Sequence, residues 1–529
     1  MAPAWHDAPL GRLLNAVSHG RFCPAVEERD GWEMPSELAA RLAGEGEYEE
    51  KVAGEQTGTL ILVDWYGPTD PSNPYNWSAE HKCYVTGLVS LLTFCVYASA
   101  SIVAPANLGL EEHFSVPPIK ATLSLSIFLF GMGIGPLILS PLSDLGAVGR
   151  SHPHWAASLC FLLFSVGAAS TESYPALIVL RFLAGFMASP ALAAGGAALG
   201  DMWMGKALPK AIAIWDTAAC AAPCFAPAMA GWAAMNVSWR LPYWLAVALA
   251  GIAFIDVTVL LPETLGANIL HRRASRLRAI TGDERLRAPE ELREGKLLSF
   301  MASRIVGPAR LSVEPIVLYS GVLMGLEYGI FYLALEALPL IFADIYDFNI
   351  GLQTLPFVGL GVNTFFLSGP AYLLWLTYYV DRQPRPLCPE IWIIPCLASA
   401  PLVIISLLWT GWSAREGVSY WSPLLALSLY ITPVYFVFLS VLTYLATIYP
   451  GQEAASALAA NVLLRSSIAG VFPLLSGPIF GNLGLGKGYT LLAGLSLALL
   501  LPLWGLYRYG HWLRARSPRA VGARPKRGE

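Results

Sequence analysis

The chain has 529 residues, 55% hydrophobic and only 13% charged, against about 25% charged in an average soluble protein. Its net charge is −3, so neither an ordinary soluble globular protein nor a basic nucleic-acid binder fits. The eight cysteines form no CxxC, which leaves no sign of a disulfide framework or a thiolate metal site.

Residues 1–82 carry no apolar core of the signal-peptide kind. They are rich in Gly, Glu and Pro and read as a largely disordered cytosolic tail. The tail closes on Asn73-Pro74-Tyr75-Asn76-Trp77-Ser78, a turn-rich run placed to cap the first span. Apolar windows then recur, each near the roughly 20 residues that a lipid-spanning helix needs. They predict spans 1 to 6 over 83–106, 119–142, 154–170, 175–200, 209–232 and 240–261. Spans 7 to 12 are predicted over 313–341, 351–380, 388–409, 420–446, 454–481 and 488–507. The short alternating segments of a transmembrane barrel are not found.

The resulting fold class is an all-α membrane protein of twelve transmembrane helices in two six-helix bundles, 83–262 and 312–510. Between the bundles lies a polar connector, 263–311, with ten Lys/Arg against six Asp/Glu, and a basic tail, 511–529, ends the chain. Leaving aside the long first tail, the segments on the connector's side carry 22 Lys/Arg. The other side carries four, Lys120, Arg240, Arg415 and Lys487. The positive-inside rule then puts the connector and both termini in the cytosol. Duplicated halves of this kind form a substrate cavity at their interface, near the bilayer midplane.

Charges within a bilayer are expensive, about 2.5 to 3.5 kcal/mol each on insertion scales, so those that occur tend to be functional or paired. Arg181 in span 4 and Arg465 in span 11 are the two membrane-embedded cations, with Asn461 one turn from Arg465. Asp216 in span 5 and Glu327 in span 7 are the candidate proton-carrying acids. Glu327, at mid-depth, comes first, and Asp216 is a candidate partner for Arg181. Tyr328 and Tyr332 beside Glu327, and Asn363 in span 8, complete a candidate cavity suited to an apolar, often cationic organic substrate. Gly131-x-x-x-Gly135 and Gly196-x-x-x-Gly200 read as close-packing signals between helices. Gly481-x4-Gly486-Lys487 imitates a phosphate loop, but Gly488 stands where Ser or Thr is needed.

From Asn73 to Ser517 the chain resembles the major facilitator superfamily, and within it the fungal twelve-span drug:proton antiporters. The resemblance is carried by Asn73-Pro74-x-Asn76-Trp77-Ser78, Ser140-Pro141-Leu142-Ser143-Asp144, Arg181-x-x-x-Gly185 and Leu261-Pro262-Glu263-Thr264. Glu336-Ala337-x-Pro339 and Ala459-Ala460-Asn461-x-x-x-Arg465 continue it in the second half. It implies a gating loop between spans 2 and 3, made here by Asp144, Gly149 and Arg150. Asp144 precedes Gly149-Arg150 by five residues where the family has three, and span 5 has Ala or Cys at the family's glycine positions, as in Ala222-Pro223-Cys224. Both departures bear on gating or coupling.

The function expected is secondary active export of a small organic compound, such as a fungal secondary metabolite, toxin or drug. The mechanism would be alternating access with proton antiport. Polyamine export and a non-transporting sensor are the alternatives. No enzymatic activity, metal or cofactor is expected, the proton gradient being the energy source. The expected setting is a monomer in the plasma membrane, or a vacuolar or vesicular one, with a small-molecule substrate, the lipid bilayer and no nucleic acid as partners.

Overall fold

The computed structural model describes residues 4–18, 21–29, 31–42, 60–292, 297–384, 387–449 and 452–517. Among these, eleven helical stretches are long and apolar enough to cross a membrane. In the first half they are Ala79–Phe114, Pro118–Ser143, Ser151–Ser170, Tyr174–Met202, Ala207–Asn236 and Leu241–Leu260. In the second they are Pro315–Ala343, Ile350–Arg382, Pro389–Ser413, Trp421–Ile448 and Glu453–Arg516. The last, at 64 residues, would reach about 96 Å as one helix, against about 30 Å of hydrocarbon. Gly484, at φ 73° and ψ 168°, divides it. Span 7 runs parallel to the first piece, with Gly321 against Leu464 and Gly329 against Phe472. It runs antiparallel to the second, where the Tyr319 hydroxyl donates to the Leu499 carbonyl at 2.7 Å. The stretch is therefore spans 11 and 12.

Small residues set the packing distances. A Cβ on Gly131 would lie 2.4 Å from the Phe182 carbonyl oxygen, and one on Gly135 2.5 Å from that of Phe186, so spans 2 and 4 touch backbone to backbone. The second small-residue motif does not act this way, because Gly196 and Gly200 have nothing within 4 Å of an added Cβ. Gly195 is the close-packed residue there, for a Cβ on it would lie 2.7 Å from the Trp215 ring. Between the halves, span 2 pairs with span 11 and span 5 with span 8.

The N-terminal segment departs from the disorder expected of it, for its described residues fold onto the connector. Ile61–Leu62 pairs in parallel with Leu286–Arg287. Leu38, Val63, Ala274, Leu277 and Leu286 form a small apolar core of their own. Arg273, on the connector helix Gly266–Thr281, is buried between Glu27 at 3.0 Å and Asp70 at 2.7 Å, with the Tyr66 ring centroid 3.9 Å from its guanidinium. Burial opposes the charge on Asp70, but Arg273 and the N–H groups of Tyr66 and Ser72 hold its carboxyl below the usual range. The turn-rich run caps span 1 as expected, with the Ser78 hydroxyl accepting from the His81 N–H. Of the basic C-terminal tail, residues up to Ser517 continue from the helix of span 12, and 518–529 lie outside the described residues.

Candidate functional site

Spans 1, 5, 7 and 10 converge on a cavity of about 30 Å³ between the two halves, room for about one water. Tyr97, Asp216, Cys220 and Pro223 line it from the first half, and Tyr328, Phe331, Val434 and Phe438 from the second. Asp216 is the acid of this cavity, with the Cys220 thiol 3.7 Å from its Oδ2. Arg465, 5% exposed, reaches towards it from span 11. Its Nη2 donates to the Tyr97 hydroxyl at 3.4 Å, and its guanidinium lies 5.2 Å from the Phe438 ring centroid. Its Nε and Nη1 have no hydrogen-bond partner among the described residues. A carboxylate from one half and an under-satisfied cation from the other thus lie at the same aromatic site without pairing.

The other candidates fall elsewhere. Arg181 spends its donors within the first half, on the carbonyls of Ser124 (3.0 Å), Ser99 (3.2 Å) and Ala100 (3.3 Å), and lies over the Phe128 ring at 4.4 Å. The pair with Asp216 is not formed. Glu327 is fully buried but turns into the second half, where the Tyr430 hydroxyl lies 3.0 Å from its Oε2. The neighbouring Tyr328 faces the cavity instead, its hydroxyl 3.1 Å from that of Tyr332. Asn363 accepts from Ser368 and Thr432, joining spans 8 and 10. Asn461 is buried, and its amide has no partner on either atom among the described residues.

The loop between spans 2 and 3 is held by groups that the sequence did not single out. Arg150 pairs with Asp201 at 2.8 Å and reaches Asp144 at 4.0 Å. Gly149 has φ 75°, a backbone region that suits glycine, and a Cβ there would lie 2.5 Å from Glu263 Oε2. Glu263 itself accepts from the N–H groups of Arg150 and Ser151 and from the Ser151 hydroxyl. Burial opposes its ionisation, yet Arg12, Arg272 and the N–H groups of Leu265 and Ser151 keep its carboxyl low. The only signal for Glu263 in the sequence is its place in the Pro262-Glu263-Thr264 run.

Both ends of the interface between the halves are closed by polar contacts. At the connector end, Lys210 of span 5 pairs with Asp381 at the end of span 8 at 2.7 Å, and Arg304 of the connector reaches Asp144 at 3.8 Å. At the far end, Asn107 and Thr122 of the first half both donate to the Glu336 carboxylate, at 3.1 Å to Oε2. Lys210 and Asp381 are far apart in the chain, as are Thr122 and Glu336, so sequence patterns held no trace of these contacts.

The profile of the Major Facilitator Superfamily matches residues 89–473. The MFS-type transporter pyvG of Aspergillus violaceofuscus is 32% identical, over 98% of this chain and 99% of its own length. Fluconazole resistance protein 1 of Saccharomyces cerevisiae is 34% identical, over 86% and 84%. The multidrug transporter FLR2 of Candida glabrata is 33% identical, over 86% and 79%. Among solved structures, the proton:xylose symporter XylE bound to 6-bromo-6-deoxy-D-glucose aligns with a TM-score of 0.58 at 16% identity, covering 82% of this chain and 97% of that one. The human organic anion transporter MFSD10 aligns at 0.53 and 16%, covering 81% and 100%.

Proposed function

The chain belongs to the Major Facilitator Superfamily as a multi-pass membrane transporter, not an enzyme, and from that premise we propose that it exports a small organic compound by proton antiport. The observation that carries this reading is the small cavity between the halves that Asp216 lines, with Arg465 of the other half bonded to the Tyr97 hydroxyl in its wall. In a site of this kind a carboxylate exchanges its proton for substrate as the halves rock. Aromatic walls suit an apolar organic molecule. The names of the fluconazole-resistance, multidrug and cycloheximide-resistance relatives point to drug-like substrates. One acid at the same site as one guanidinium offers little to a polycation, which ranks polyamines below a neutral or weakly charged compound. The charge asymmetry of the loops favours a cytosolic connector with both termini beside it, in the plasma membrane, and the protein works as a monomer.

The test is proton movement. In proteoliposomes holding a pH-sensitive dye, adding an azole or cycloheximide on one side should drive proton flux the opposite way, and a protonophore should abolish substrate accumulation. Accumulation indifferent to the protonophore would reject antiport, and the absence of any substrate flux would favour a non-transporting sensor.

A further inference from the structure

We propose that the groove between the connector-side ends of spans 7 and 12 binds one anionic glycerophospholipid. One acyl chain would lie between the helices and the phosphate would rest at Arg508 and His511. The groove encloses about 990 Å³, with apolar walls that include Pro315, Ile316, Pro502 and Leu506. It lies outside the substrate cavity, on the flank of the second bundle, where a membrane protein meets lipid. Exposed aromatic rings line it: Tyr509 and Trp512 are 55% and 48% exposed. Amphipathic rings of this sort gather at the headgroup level of a bilayer, so the groove opens at the depth where phosphates lie.

Charge selects the occupant. Arg508 and His511 line the groove, and among the described residues no carboxylate does. Nearby charges are already engaged, Arg514 by Glu390, Glu314 by the Ser517 hydroxyl and Arg516 over the Trp512 ring. Arg508 is exposed and forms no ion pair among the described residues. A cation without a counter-charge at the mouth of an apolar slot between two helices is the arrangement that holds anionic lipid headgroups. A zwitterionic phosphatidylcholine would bring its own cation beside Arg508 and gain less. The proposal stands apart from the antiport reading, since it uses neither Asp216 nor the cavity.

Gly505 provides a second handle. It lines the groove, and a Cβ added there meets nothing within 4 Å, so the side chain of Gly505→Leu starts in open space and extends into the slot. The delipidated full-length protein in detergent is titrated with palmitoyl-oleoyl phosphatidylserine or phosphatidylcholine, and bound copies are read by native mass spectrometry. The wild type should take up one phosphatidylserine about fivefold more tightly than phosphatidylcholine, the worth of roughly one cation beside an anionic headgroup. Arg508→Gln should erase that preference. Gly505→Leu should weaken both lipids while the thermal midpoint stays that of the wild type. Equal affinity for the two lipids in the wild type, a preference that survives Arg508→Gln, or uptake unchanged by Gly505→Leu would each overturn the proposal.

Discussion

Arg181 and Arg465 lie in the apolar interior of the membrane-spanning helices, and their partners separate their roles. Arg181 satisfies three backbone carbonyls on spans 1 and 2, and removing it would leave those buried acceptors bare, at about 1–3 kcal/mol each. Arg465 has one long hydrogen bond, a ring face and two donors with no partner among the described residues, so little of the fold depends on it. Arg181→Ala is therefore expected to lower the thermal midpoint by several degrees. Arg465→Ala should leave the midpoint near that of the wild type and abolish transport. Thermal unfolding in detergent beside vesicle flux checks both, and the reverse pattern would exchange the two roles. Both arginines were visible in the sequence as charges inside apolar runs. Their partners were not, because position along a helix fixes depth and leaves the facing open when every face is apolar. Span 7 shows the same limit, for its apolar window is 83% buried and Glu327 and Tyr328 still point to opposite sides.

Among the elements, the transmembrane helices were legible because bilayer thickness demands long apolar runs, and Gly131 and Gly135 because small residues permit backbone contact. The folded N-terminal segment was hidden for the opposite reason. Its polar, glycine-rich stretches give no apolar period, and the contacts that order it join Glu27 and Asp70 to Arg273, more than 200 positions away. Arg273 is 1% exposed, and removing one member of a buried ion network costs about 3–5 kcal/mol. Arg273→Ala should release residues 61–63 and 266–281 to rapid amide hydrogen exchange at pH 7, with the spans still protected. Acid should act in the same direction. Asp70 and Glu263 have lowered folded values, so their stabilisation is complete above the ordinary 3.8 and 4.5 and fades as pH falls through those lowered values. Protection of these segments that persists in Arg273→Ala, or that fades between pH 7 and 5, would contradict this account.

For the whole molecule, polar contacts close the cavity at both ends, Lys210–Asp381 and Arg304–Asp144 at one and Asn107 and Thr122 on Glu336 at the other. Alternating access requires that one set part while the other holds, and the charge on Asp216 is the element that the proposed proton cycle switches. Glu327 has the burial of a proton carrier but faces the interior of its own bundle, which makes Glu327→Gln the natural control. The most direct measurement compares uphill and downhill transport in proteoliposomes containing Asp216→Asn, a neutral side chain of nearly the same shape. Accumulation driven by a proton gradient should vanish while downhill substrate exchange continues, with Glu327→Gln retaining both. An Asp216→Asn protein that still concentrates substrate against its gradient, with the pH dependence of the wild type, would contradict the assignment of proton exchange to this cavity.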